Sequence, residues 1–191
     1  AGHDALTGLP NRLMLLERTA QALRRASRAH RSVAVLALDV DGFKLLNDSL
    51  GHGLGDELLR SVGTRLKGAV RETDTVARLS GDEFGLLLEV RDPDEAAAVV
   101  EKIRAATGRP FVLHGREVHV TLSGGLAVSP RHGEAPEALL ASARALRAAG
   151  DTAGASARYE TLLIDYPESA LLPQGRRELQ QLSARKPPGP R

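Results

Sequence analysis

Apolar residues recur along the chain at two spacings. Leu13, Leu16, Ala20, Leu23 and Ala26 fall at helical intervals, with Arg24, Arg25 and Arg28 on the polar side. Asp4 to Arg12, with its Gly, Pro and Asn, predicts a structured loop leading into that helix. Val33 to Leu38 is a short unbroken apolar run, the pattern of a buried strand. Phe43 to Leu50 predicts a helix, and Gly51-His52-Gly53-Leu54-Gly55 a loop. Asp56 is placed to cap the next helix, whose apolar positions are Leu58, Leu59, Val62, Leu66 and Val70. Asp92-Pro93-Asp94-Glu95 has cap chemistry for a helix through Ala106. Phe111 to Leu113 and Glu117 to Val128 predict a hairpin turning at His114-Gly115-Arg116.

Between these elements lies a stretch that organises the chain. Thr75-Val76-Ala77-Arg78-Leu79 is rich in strand formers, and Phe84 to Val90 is almost continuously apolar. The small polar step between them, Ser80-Gly81-Asp82-Glu83, makes the pair a β-hairpin. Its tip carries two adjacent acids. Neighbouring strand residues point to opposite faces, so at most one of Asp82 and Glu83 is expected to look into a given site. Helices, one buried strand and two hairpins in this order predict an α/β (α+β) sandwich, with helices packed on a largely antiparallel sheet.

From Glu134 onward Ala, Arg and Leu dominate and β-branched residues are scarce. Helices are predicted over Glu137 to Ala149, Ala153 to Asp165 and Leu172 to Leu182. The sequence thus divides into 1–133, a helical extension over 134–184, and a Pro-rich, disordered-looking tail over 185–191. The stretch from Ala148 to Pro167 resembles one tetratricopeptide-like unit, and one repeat alone leaves an apolar face to pack on the rest of the chain, on a protein partner or on nothing.

Composition narrows the function classes. The 26 basic and 24 acidic side chains leave a net charge of +2, with no basic stripe for nucleic acid. The absence of cysteine excludes disulfides, thiolate zinc sites and thiol nucleophiles, and suits a cytoplasmic compartment. Aromatic residues make up 3%, so the core must be Leu, Val and Ala. No apolar run approaches the ~20 residues of a membrane span, and no signal peptide is visible. The chain opens on Ala1-Gly2-His3 rather than Met, as a piece of a longer protein would.

Two constellations carry candidate chemistry. Asp39 closes the buried strand and Asp82 lies in the hairpin tip. Two carboxylates from neighbouring strand ends suit a hard cation such as Mg2+, the alternative being solvated acids in loops. Gly42 and Phe43 open a helix whose amides favour anions, and Lys44 adds a point charge. Asn47 and Asp56 bracket the glycine-rich loop. Together an amide and a carboxylate can read guanine, or each can simply cap a helix. A Walker-type phosphate loop, a nucleophile elbow and a His-Glu-x-x-His zinc motif are all absent.

Five motifs in register resemble the GGDEF family of diguanylate cyclases over about residues 4–129. They are Asp4-x-Leu6-Thr7-Gly8-Leu9-x-Asn11-Arg12, Asp39-x-Asp41-x-Phe43-Lys44-x-x-Asn47-Asp48, Gly51-His52-x-x-Gly55-Asp56, Arg78-x-Ser80-Gly81-Asp82-Glu83-Phe84 and Thr121-x-Ser123-x-Gly125. The resemblance implies a nucleotidyl-cyclase-like fold and a cytoplasmic bacterial enzyme that condenses two GTP into cyclic di-GMP, releasing pyrophosphate, as a homodimer. It implies that Asp39, Asp82 and the Val40 carbonyl bind Mg2+ or Mn2+. Glu83 becomes a second catalytic acid beside Asp82. Gly42, Phe43 and Lys44 would hold phosphates, and Asn47 and Asp56 would recognise guanine. Arg71-Glu72-Thr73-Asp74 matches the family's inhibitory Arg-x-x-Asp, so Arg71 and Asp74 would bind the product.

The chain departs from the family pattern twice. Ser80 replaces the first signature glycine, which predicts reduced rather than abolished activity, through lost backbone freedom and a side chain that closes in on the nucleotide. After the last hairpin the family's basic helix and closing strand are replaced by Leu139 to Asp151, without the expected Lys. Arg144 and Arg147 are the cations present there. That loss favours the alternative of a weakly active or inactive domain that acts as a receptor for cyclic di-GMP or GTP.

Overall fold

The computed structural model describes residues 2–149. Four strands form the main sheet: β1 (Ser32–Val40), β2 (Thr75–Ser80), β3 (Glu83–Val90) and β6 (Leu122–Val128), in the order β2-β3-β1-β6. Every neighbouring pair is antiparallel. The expected antiparallel-rich sheet flanked by helices is therefore present. β1 is central and bonded on both edges, which explains its unbroken apolar run: its two faces meet different helices.

Residue parity along β1 separates the two faces. Val33, Val35 and Ala37 share a core with Leu15, Ala22 and Ala26 of α1 (Arg12–Ala29) and with Leu139, Leu140 and Ala143 of α5 (Pro136–Ala149). Leu36, Leu38 and Val40 face the other way, into a core with Leu46 of α2 (Phe43–Leu50) and Leu54, Leu58, Leu59, Val62 and Leu66 of α3 (His52–Ala69). Ala34 joins Leu88, Val90, Val128 and Ala96 of α4 (Pro93–Thr107). Caps set the helix starts: the Asn11 side chain accepts from the Met14 amide, and Asp92, as the sequence predicts, from the Glu95 amide.

Two expectations are corrected. The glycine-rich stretch is not a loop. α3 begins at His52, with Gly51 alone between it and the end of α2, and Asp56 lies inside it rather than capping it. The apolar run Glu117 to Val128 does not form one strand. β4 (Phe111–Leu113) pairs with β5 (Arg116–Val118) in a separate two-stranded sheet, while β6 crosses to the far side of β1. The first helix of the extension, α5, is part of the central core: Leu139, Leu140 and Ala143 are all buried. The tetratricopeptide-like unit beyond it, its partner surface and the tail lie outside the described residues.

Candidate functional site

The antiparallel register brings the acids together. Asp39 stands directly opposite Glu83 across β1 and β3, and opposite Ser123 across β1 and β6. The Val40 amide donates to the Asp82 carbonyl at 3.3 Å, joining the end of β1 to the hairpin tip. Asp82 precedes β3, in a turn with Gly81 at φ 47°, so strand alternation does not govern it. Both tip acids therefore lie near Asp39, contrary to the alternation argument. Burial pushes the Asp39 carboxyl up to about 6, against the pull of Arg147, and the charges of Asp82, Glu83 and Asp41 add to the rise.

Helix α5 supplies the counter-charge. Arg144 binds Glu83 with two donors, Nε to Oε1 at 2.7 Å and Nη2 to Oε2 at 2.8 Å. Arg147 Nη1 lies 3.1 Å from Glu83 Oε1 and 3.2 Å from Asp39 Oδ1. Burial alone would raise the Glu83 carboxyl, but the two arginines prevail and hold it below its usual range. Sequence reading named these arginines without a direction for their side chains. The direction comes from the close approach of α5 to β6. A Cβ on Gly125 would collide with the backbone of Ala143 and Arg147, so the glycine lets helix and strand meet backbone to backbone.

The remaining motif residues build the walls. Asp41 accepts from Thr121 Oγ1 at 2.6 Å and from Ser123 Oγ, and its amide donates to the Thr121 carbonyl at 2.9 Å. These bonds fasten the turn after β1 to the start of β6. Asp4 and Arg78, which carry no predicted site role, tie down the hairpin tip. Arg78 donates to Asp4 Oδ1 at 3.0 Å and to the Gly81 carbonyl at 2.9 and 2.7 Å, while Thr7 donates to Asp4 through its amide and hydroxyl. Ser80 is exposed, pairs with Glu83 and has no positive φ, so the serine costs no backbone strain and the expected loss of freedom does not arise.

On the other side of the β1 end, Lys44 is exposed on the first turn of α2, next to Gly42 and Phe43. The carboxamide oxygen of Asn47 is buried with no hydrogen-bond partner. It occupies the space a side chain on Gly55 would take. Asp56 is exposed on α3. Arg71 and Asp74 sit apart, between α3 and β2. Asp74 accepts from the Arg71 amide at 3.0 Å, but the Arg71 guanidinium is bound to Glu95 of α4 at 2.8 Å. Burial raises the Asp74 carboxyl above its usual range.

Known proteins share this fold. The family model described as "Diguanylate cyclase, GGDEF domain" matches residues 1–155. The chain belongs to the GGDEF family. It is 46% identical over 143 residues to the bifunctional diguanylate cyclase/cyclic di-GMP phosphodiesterase MucR of Pseudomonas aeruginosa, a match covering 75% of this chain and 21% of MucR. The solved GGDEF domain of TpbB from the same organism is similar with a TM-score of 0.73 and 39% identity, over 75% of this chain and 91% of that one. The GGDEF domain of DgcB from Caulobacter crescentus, solved in complex with c-di-GMP, matches with a TM-score of 0.71 and 27% identity, over 78% and 90%. The chain thus spans about a fifth of MucR, and a solved GGDEF domain nearly whole.

The carboxylates of this GGDEF domain suit a hard divalent cation. Their donor set is oxygen only, and enough negative charge converges to help hold Asp39 near 6. Among the described residues no group of three or more His, Cys, Asp and Glu could hold a metal ion. Two carboxylates and a carbonyl leave coordination open to phosphate oxygens. No helix among the described residues is long and apolar enough to cross a membrane.

Proposed function

We propose that this GGDEF domain is a metal-dependent diguanylate cyclase. Two chains, each holding one GTP, would face each other. The 3'-hydroxyl of one GTP attacks the α-phosphate of the other, its proton passing to solvent water as the oxygen–phosphorus bond forms and pyrophosphate leaves; repetition in the other direction closes cyclic di-GMP. The observation that carries this reading is the convergence of Asp39, Asp82 and Glu83 at one end of the sheet, beside the N-terminus of α2.

Asp39, Asp82 and the Val40 carbonyl would hold Mg2+ or Mn2+, which supplies charge neutralisation for the phosphates. The amides of Gly42 and Phe43 and the Lys44 ammonium meet the outer phosphates. Asn47 offers its unpartnered oxygen to the guanine amino group, and Asp56 to the guanine N–H edge. Glu83, held ionised by two arginines, is a weak base; it orients the attacking hydroxyl as a hydrogen-bond acceptor rather than giving up a proton. The test is incubation of the purified chain with GTP and Mg2+ after removal of bound nucleotide. Cyclic di-GMP should appear on chromatography and vanish with Asp82→Ala.

A receptor reading has its own support. Arg144 and Arg147 already neutralise the catalytic acids, while Arg71 stands exposed beside Asp74 for a product dinucleotide. On this reading no product forms, yet cyclic di-GMP binds and the binding is lost with Arg71→Ala. In the cyclase the same pair would provide product inhibition. Binding at Arg71 must then break its ion pair with Glu95.

A further inference from the structure

We propose that Arg147 is a tethered counter-cation of the metal site, competing with the divalent cation for Asp39. The inference rests on the metal reading above and adds a residue that sets its affinity. Its basis is geometric. One guanidinium nitrogen, Nη1, is shared between Asp39 Oδ1 at 3.2 Å and Glu83 Oε1 at 3.1 Å. The side chains of Arg147, Glu83 and Asp39 are 18%, 11% and 34% exposed, so water screens the Glu83 side of this contact poorly while the Asp39 side stays open enough for a cation to enter. Asp39 is one of only two side chains assigned to the metal. A cation that takes Oδ1 must displace the arginine or share the oxygen with it, at a short like-charge distance.

Arg144 explains why the device is more than a stray ion pair. With one donor on each oxygen of Glu83, it anchors that acid to α5 while leaving lone pairs for Arg147 and for the attacking hydroxyl. Arg147 is then the movable member. It keeps a partner in Glu83 when Asp39 is taken, so releasing Asp39 leaves no buried charge unpaired. Gly125 lets the α5 backbone lie directly against β6, close to both acids. The site therefore rests in a neutralised state without metal, and metal entry costs the Asp39–Arg147 contact.

The experiment titrates Mn2+ alone into the whole 191-residue chain and follows free Mn2+ by electron paramagnetic resonance. Arg147→Gln should bind Mn2+ roughly tenfold more tightly than the unmodified chain, and Arg147→Lys by an intermediate factor, because an ammonium lacks the fixed fork. An Arg147→Gln chain that melts cooperatively but binds Mn2+ equally or less tightly overturns the inference. If Arg147→Gln does not fold, Arg147→Lys decides the matter, with at least a threefold gain expected. Asp39→Asn separates this from the reading beneath it. Loss of Mn2+ binding in Asp39→Asn upholds the metal site whatever Arg147 does. Retention there removes the metal site and the counter-cation together.

Discussion

Gly55 has no side chain, and that decides where Asn47 goes. Gly55→Ala would put a methyl on the Asn47 carboxamide and drive it from the α2–α3 crossing. Affinity for a GTP analogue, followed by fluorescence titration, should weaken by about tenfold, the scale of one lost hydrogen bond in a polar site. The Asp4–Arg78 pair acts on stability instead. Both side chains are largely buried, at 20% and 14% exposure. Arg78→Ala leaves Asp4 and the Gly81 carbonyl short of donors and should cost about 2–4 kcal/mol in urea unfolding. At this scale the acids were legible because they recur in motifs. The arginines were legible only as residues present. Whether Arg144 and Arg147 reach Glu83 depends on how α5 crosses the sheet, which no local pattern encodes.

Among the elements, α5 lies backbone to backbone against β6 at Gly125. Gly125→Ala places a methyl into helix backbone rather than into a flexible side chain. The helix must shift, at an expected loss of about 1–3 kcal/mol, read as a lower midpoint in thermal melts. The arginines would move with it, so Mn2+ affinity should change in the same variant. Helix α4 provides a pH signature. Glu95 accepts from the Arg91 amide and from the Arg71 and Arg91 guanidinium groups, in that order of effect on its pKa, and its carboxyl is lowered from 4.5 to about 2. A depressed carboxylate stabilises the fold above its unfolded pKa and loses that contribution as pH falls toward its folded one. The melting difference between the unmodified chain and Glu95→Gln should thus be full at pH 6 and shrink between pH 4.5 and 2. The sequence misplaced the start of α3 because Gly51, Gly53 and Gly55 together look like a loop. Gly55 is there for Asn47, inside a helix. The run from Glu117 to Val128 hid its break at His119 to Thr121, where apolar and polar residues still alternate.

For the molecule as a whole, the proposed two-chain reaction makes concentration a variable. Cyclic di-GMP formed per chain per unit time should fall as the protein is diluted below its self-association constant, and sedimentation velocity should show dimer loss over the same range. A flat rate per chain would contradict a reaction between two facing sites. The sheet architecture was legible from apolar periodicity alone, but its strand order was not. The placement of β6 beside β1 follows from a long crossing over α4 and the small β4–β5 sheet.

The two faces of β1 amount to an odd and even code. Odd positions from Val33 to Asp39 serve the α1 and α5 side and finish in the acid; even ones from Ala34 to Val40 serve the other layer. Losing one residue in the middle of this strand inverts the code, sending the carboxylate toward the apolar packing of α3 and Leu38 toward the arginines. Losing two restores it, with a shorter strand. A β1 of another length therefore keeps its acid on the α5 face only if it differs by an even number of residues.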